Sequence, residues 1–232
     1  MPEQARSLEK RSRILKGAMG LFAEKGYEAA RVEDLAKGLG IAKGSVFQHF
    51  GSKEGLFLAA YRQAVESLPR YLDAPPEVKI RGFFVTLRYW LERTEHLLRE
   101  DFIPYRLTLI GNYGSDLVLR REINRYLARE DPYGTVAFVS QGLARGELRR
   151  DVDEELVASV LEWTVERFQD ALLAEELFPG FMRRGPRDPA RTKKRIAEFV
   201  RVLEDAIGAR TSRAPGKRPL RPGSGPERAR RR

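Results

Sequence analysis

The sequence predicts an all-α protein: a helix-turn-helix domain of three short helices, then a larger helical domain, about nine helices in all. Apolar residues recur at i, i+3, i+4 and i+7 along most of the chain, and no stretch alternates with the period of a strand. Gly, Pro, Ser and Asp fall where those stripes begin and end. Residues 31–50 read as two short amphipathic helices around a glycine-closed turn.

The elements follow in order. Residues 8–25 form a helix with Ile14, Ala18, Leu21 and Phe22 on one face and Lys10, Arg11, Arg13 and Lys16 on the others; Gly26 closes it. Val32, Leu35, Ala36 and Leu39 give the next helix its inner stripe, Gly40 supplies the left-handed stop, and Ile41 packs into the corner. Lys43 to Phe50 form a second short helix with Val46 and Phe50 inward, the right size for a DNA major groove. An ordinary helical corner has the same spacing, so the flanking residues decide between the two. Ser52 is a suitable N-cap for a long helix through Leu56, Ala60 and Ala64 to about residue 67.

Pro69, Pro75 and Pro76 mark a boundary between a first domain, residues 8–68, and a second, residues 75–209. In the second, residues 77–100 carry a broad apolar surface of Ile80, Phe83, Phe84, Leu87, Trp90, Leu91 and Leu97. Residues 102–110 are helical despite Pro104, residues 111–114 form a loop, and Ser115-Asp116 opens a helix to about residue 129. Asp131 as N-cap and Pro132 at the first helical position start a helix that Gly146 ends. Asp151 or Asp153 caps a helix over 153–178, stopped by Pro179-Gly180, and Asp188-Pro189 opens the last one, to Gly208.

The chain has 232 residues and a formal charge of +10, unevenly spread. Residues 210–232 carry +8, residues 1–70 carry +4, and residues 71–209 carry −2. A basic N-terminal part beside a slightly acidic middle suits a protein with one end facing phosphate. The tail is rich in Arg, Pro, Gly and Ser and cannot bury enough surface to offset its ordering entropy, so it is predicted to be disordered. It has three readings: added non-specific DNA affinity, attraction to an anionic membrane surface, or an inert solubilising extension. The excess of Arg and scarcity of Asn and Gln fit a thermophilic source or GC-rich coding equally. With no cysteine, no signal-peptide pattern and no apolar run that could span a bilayer, the sequence points to a cytoplasmic protein with no membrane partner.

Chemistry-bearing clusters are sparse. His49 and His96 stand far apart with no cysteine, so no metal site and no cofactor are expected. Acidic pairs such as Glu154-Glu155 and Glu175-Glu176 read as solvated helix surface, and no strand hosts a phosphate loop; no catalytic residue is assigned.

Gly26-Tyr27, residues 32–36, Gly40-Ile41, residues 43–47, Phe50 and residues 52–56 closely resemble the N-terminal domain of the TetR/AcrR family of bacterial transcriptional regulators. The likeness covers roughly residues 8–60, and the later helices follow only the family's general plan. It implies a homodimer, formed by the last two long helices, on a palindromic double-stranded DNA operator, with a small-molecule effector in the second domain. Gly44 lets the second short helix begin close to the DNA backbone, and Lys43 sits at its N-terminus, where charge and free N–H groups favour phosphate. Ser45, Gln48 and His49 point outward beside Phe47, and Gln48 is the best base reader because an amide pairs bidentately with adenine. Lys53 is a phosphate anchor. The chain departs from the family where Ala30, Arg31 and Ala42 replace the usual hydroxyl residues, leaving two helices without side-chain N-caps; Arg31 can take over a phosphate contact. His49 stands where a Tyr is common and reaches phosphate best when protonated.

The aromatics of the second domain are mostly core in character, but polar residues share their segments. Arg88, Trp90, Phe102, Tyr105, Arg106, Tyr113, Phe138, Gln141, Trp163 and Glu166 are the candidate lining of an effector site, for an amphipathic compound with a polar end. Two functions remain open: a ligand-responsive repressor, and a helical DNA-binding regulator controlled only by dimerisation or a protein partner.

Overall fold

Ten helices and one isolated helical turn make up the structure, a computed structural model that describes residues 2–68, 74–100, 102–173 and 188–209. Among these residues there is no strand; Leu148 and Gly208 form an isolated antiparallel bridge. Pro69, the predicted helix end at 174–178 with Pro179-Gly180, the pair Glu175-Glu176, the side chains of His96 and Leu97, and the tail 210–232 lie outside the described residues.

Helix α1 spans Pro2–Ala29, beginning well before residue 8, and Gly26 (φ 74°, ψ 174°) interrupts it where a stop was predicted. Helices α2 (Val32–Gly38) and α3 (Lys43–Phe50) are separated by a turn at Gly40, φ 64°. Their N-cap positions, Arg31 and Ala42, make no side-chain capping bond, as the sequence implied. Helix α4 (Lys53–Ser67) is capped by Ser52, whose hydroxyl accepts the Gly55 N–H at 3.0 Å. A β-carbon at Gly55 would lie 2.2 Å from the Phe50 carbonyl oxygen, so only glycine lets α4 start this close to the end of α3.

The expected long helix 77–100 is broken. A single turn α5 (Pro76–Lys79) is followed by Gly82 at φ 112°, and α6 (Phe83–Glu100) starts afresh with the Phe83 N–H donated to the Glu147 carboxylate. Ile80, predicted inward, is 78% exposed in this corner. Helix α7 runs Phe102–Tyr113, taking in three residues of the segment 111–114 predicted as loop. Helix α8 (Leu117–Glu130) is capped by Asp116, which accepts from Val118 and Leu119, both at 3.0 Å. Helix α9 spans Thr135–Ala144, three residues later than predicted. Asp131 still caps it, but at a distance: itself left-handed (φ 40°), it accepts the N–H groups of Thr135 and Val136 at 2.8 and 3.1 Å. Helices α10 (Glu154–Leu173) and α11 (Pro189–Ile207) are capped by Asp153 and Asp188, which accept from Leu156 at 3.0 Å and Ala190 at 2.9 Å. Asp151 instead pairs with Arg149.

Two apolar cores result. The first joins Ile14, Ala18 and Phe22 of α1, Val32 and Leu35 of α2, Val46 of α3 and Leu56, Phe57 and Tyr61 of α4, and it continues into Leu107 of α7 and Leu119, Ile123 and Tyr126 of α8. The second joins Phe83, Leu87 and Leu91 of α6 with Val139 of α9, Val157, Leu161 and Phe168 of α10, and Ile196, Val200, Leu203 and Ile207 of α11. The helices of the predicted first domain therefore share a core with two helices of the predicted second.

That sharing explains α7's length. A β-carbon at Gly111 would lie 2.6 Å from the Tyr61 ring and 2.9 Å from Ile123, so the glycine is a place of close approach and not a helix breaker. Gly111→Ala is expected to lower stability by about 1–3 kcal/mol, the usual cost of overpacking a closed core, even though alanine is the better helix former. A denaturant midpoint that does not fall would sink this account.

Candidate nucleic-acid interface

The recognition unit is held from behind and left open in front. Val46 is fully buried, and Phe47 and Phe50 pack against the first core, which fixes the roll of α3 about its axis. Gly44 and Gln48 are left exposed, with Ser45 and His49 half-buried beside them. A β-carbon at Gly44 would meet nothing within 4 Å, so the protein itself does not require glycine there.

Cations ring this face. Lys43 is ion-paired with Glu33 of α2 and lies 5.3 Å from the centre of the Phe47 ring. The Lys43 contact, then Glu33's own main-chain N–H and the charges of Lys43 and Arg31, hold the Glu33 carboxyl below its ordinary value. The pair is exposed, so screening leaves it weak and Lys43 readily exchanged. The Arg31 side chain is exposed and makes no hydrogen bond or ion pair among the described residues. Lys53 donates to the Glu28 carbonyl at 3.0 Å, near the end of α1, and lies 4.8 Å from the centre of the Tyr27 ring. A cation at a helix C-terminus is electrostatically favoured, so Lys53 is pre-placed.

Helix α1 adds three contacts that periodicity alone did not disclose. Lys10 donates to the Ser45 hydroxyl at 2.6 Å, Arg13 donates to the Leu39 carbonyl in the turn at 2.7 Å, and the Arg11 guanidinium lies 5.0 Å from the centre of the Phe50 ring. The available signal was the Arg6, Lys10, Arg13 spacing, which puts three cations on one side of α1. In a helix that begins at residue 8, Lys10 and Arg13 are simply part of its outer faces and Arg6 falls outside it.

The ten effector candidates do not converge on one cavity. Trp90 and Phe138 pack with Phe83 into the second core, at ring separations of 4.3 and 4.0 Å. Arg88 pairs with Glu92 on its own helix at 2.9 Å, Gln141 is exposed, and Trp163 is 59% exposed. Phe102 is at the surface with Arg106 over its ring. Tyr105, Tyr113 and Glu166 do come together, in a polar seam between α4, α7 and α10. The buried Asp170 carboxylate accepts from the hydroxyls of Tyr105, at 2.8 Å, and Tyr113. Glu166 accepts from the Asn112 amide at 2.8 Å, and Asn112 in turn accepts from Tyr61 at 3.0 Å. Glu166 and Asp170, at i and i+4, form the acidic side of the seam, and the exposed Glu162 precedes them by one turn on the same face.

Arg106 and Tyr113 also line an open cleft of about 300 Å³ against Tyr27 and Glu28 of α1 and Leu119 and Arg120 of α8. It lies between the helices of the recognition unit and those that follow.

Known proteins place this architecture. A family model described as bacterial regulatory proteins, tetR family, matches residues 14–60. The HTH-type transcriptional repressor AcnR of Corynebacterium glutamicum is 34% identical over 158 residues, covering 68% of this chain and 79% of that protein. The chain belongs to the tetR family. Its match to the HTH-type repressor DhaR of Mycobacterium sp. is longer and weaker, 25% over 210 residues, covering 85% of this chain and 91% of that one. A tetR-family structure from Shewanella sp. PV-4 shares the fold with a TM-score of 0.63 at 16% identity, over 87% of this chain and 99% of that one. This tetR-family member is thus a helix-turn-helix, DNA-binding regulator of transcription.

Burial, then the charge of Asp170, raise the Glu166 carboxyl above its ordinary value, while the Asn112 bond and Arg167 oppose the shift. An acid raised by folding binds its proton more tightly in the native state. Its charged form therefore destabilises the fold above the native value, and the loss disappears as pH falls toward 4.5. Glu166→Gln keeps the acceptor for Asn112 and removes the charge. The variant is expected to melt higher than the parent at pH 8 and to show a flatter rise in melting temperature between pH 8 and 5. Equal slopes would remove Glu166 from the account.

Proposed function

We propose that this regulator is a repressor that binds a palindromic operator as a twofold dimer and is released by a small amphipathic or hydrophobic effector. The observation that carries the DNA reading is the exposed edge of α3, with Ser45 and Gln48 flanked by Arg31, Lys43 and Lys53. Base edges are read by the first group, and phosphates are held by the second, with His49 at the far end. Phe47 acts through packing and through its contact with Lys43. Open space at Gly44 supports a close approach of the DNA backbone.

Dimerisation rests on α10 and α11, whose outer faces carry Leu156, Trp163 and Val202 at 49%, 59% and 61% exposure. An exposed tryptophan on such a stripe is better explained by a partner surface than by an effector site within one chain. Two recognition helices would then meet half-sites about 34–36 Å apart, or a multiple of that.

The effector reading draws on the cleft beside Tyr27 and on the seam that contains Tyr113, since both abut elements of the recognition unit. The cleft is at the small end of the range for ligand sites, about 300–1,000 Å³. Release would follow from unequal affinity for the two dimer arrangements, with leverage no larger than that difference.

Two tests separate these claims. Arg31→Ala and Lys53→Ala are expected to weaken binding to all duplexes alike and reduce its salt dependence by about one charge each, whereas Gln48→Ala relaxes base preference. Equal losses on the selected site and on random DNA for Gln48→Ala would rule out base reading. In sedimentation at micromolar concentration the protein is expected to be a dimer and Trp163→Glu a folded monomer. A monomeric parent, or a Trp163→Glu variant that still dimerises, would refute the assigned interface.

A further inference from the structure

From the contact between Lys10 and Ser45 we infer that Lys10, a residue of α1, belongs to the base-reading surface and that the Lys10–Ser45 pair recognises a guanine. The inference rests on the reading of α3 as the helix that enters the major groove.

An ammonium has three N–H donors and no acceptor, so at 2.6 Å from the Ser45 oxygen it can only donate. That donation occupies a lone pair of the hydroxyl and turns the hydroxyl proton away from Lys10. Nothing among the described residues takes that proton, and the Ser45 main-chain N–H is already bonded to the Ala42 carbonyl at 2.9 Å. Ser45 keeps one lone pair, but beside the ammonium its hydroxyl proton is turned outward and offered as a donor.

Lys10 keeps two further N–H donors next to it. The pair therefore offers the hydroxyl proton and two ammonium N–H groups as adjacent donors, against the one lone pair left on Ser45. Guanine presents N7 and O6, two adjacent acceptors, in the major groove. Adenine sets an amino donor beside N7, cytosine offers an amino donor, and thymine has one acceptor next to a methyl group. Guanine alone gives these donors two adjacent acceptors, whereas the adenine amino group could meet only the lone pair left on Ser45 and would set a donor against the ammonium.

Lys10 is also held in place. It is half-buried and has no carboxylate partner among the described residues, while Arg13, one turn along the same face, ties α1 to the Leu39 carbonyl at 2.7 Å. Because α1 is thereby latched to the turn before α3, the ammonium keeps its place relative to the recognition helix. A lysine held this way is closer to a side chain of α3 than to a mobile surface cation.

The test is selection of binding sites from random duplexes with the parent, Lys10→Met and Ser45→Ala, each checked for parental helix content and melting. The parent is expected to select a guanine at one position of each half-site. Both variants should lose about tenfold of the preference at that position and leave the others intact. Replacing that guanine with 7-deazaguanine should weaken the parent about tenfold and leave Ser45→Ala unaffected. Lys10→Met that weakens all duplexes alike, with a salt slope smaller by about one, would make Lys10 a phosphate anchor and overturn the proposal. Selected sites in which neither variant alters a guanine position would overturn it as well. A parent that enriches no sequence would instead refute the major-groove reading on which it depends.

Discussion

Tyr61 is the contact on which the rest of the structure depends. Its ring is fully buried and lies against Gly111, closer than any side chain there would allow, and its hydroxyl enters the hydrogen-bonded seam through Asn112. One residue of α4 thus belongs to the apolar core of the recognition unit and to the polar contacts of α7 and α10. Burying such a side chain contributes roughly 1.5–3 kcal/mol, and its hydroxyl must find a partner inside or cost a comparable amount. Movement of α7 or α10 past α4 would have to break this bond or carry α4 along. Because α4 also carries Lys53 at its start, the seam and the DNA-facing cations share one rigid element.

The recognition unit is locally weak and tertiary in origin. Helices α2 and α3 have seven and eight residues and lack side-chain N-caps, well below the length at which an isolated helix persists. Their shape comes from Val32, Leu35 and Val46 in the core, from Gly55 beneath α3, and from the α1 cations that reach the turn and Ser45. Contacts that would ordinarily lie within a helix terminus are supplied by α1. An extended α1 is therefore part of the recognition surface and not merely the wall behind it.

The sequence disclosed much of this, and the failures share a cause. Helical stripes, the Gly40 turn and the Ser52 cap are properties of neighbouring residues, and each is found where periodicity and cap chemistry put it. Gly111 was misread because a glycine looks the same whether the backbone turns or another ring approaches; only the position of Tyr61 distinguishes these. Asp131 was read correctly as a cap, but its reach across a turn at Gly134 delayed the helix it caps. Among the DNA-facing candidates, exposure follows from the face of α3 and was legible. Composition marks the effector candidates, and composition does not say that Trp90 and Phe138 pack together in a core while Trp163 faces outward. The seam of Asp170, Asn112 and Tyr61 joins residues over fifty positions apart, so no local pattern could assemble it.

The seam also carries a tension that bears on its role. Two carboxylates on one face of α10 are enclosed, Glu166 partly and Asp170 wholly, and for Glu166 burial and the charge of Asp170 raise the carboxyl above its ordinary value. A core chosen for stability alone would place apolar side chains there, because enclosed charge is costly without full compensation. Asp170 is compensated by two tyrosine hydroxyls, whereas Glu166 has the Asn112 amide and the nearby charge of Arg167. Of the two carboxylates inside the seam, the less compensated is therefore the one bonded to Asn112, one hydrogen bond from Tyr61. Any change in charge at Glu166, by a proton or by a donor group brought near it, alters the strength of that bond before it alters anything else. The part of the fold least favourable to stability is also the part best connected to α4.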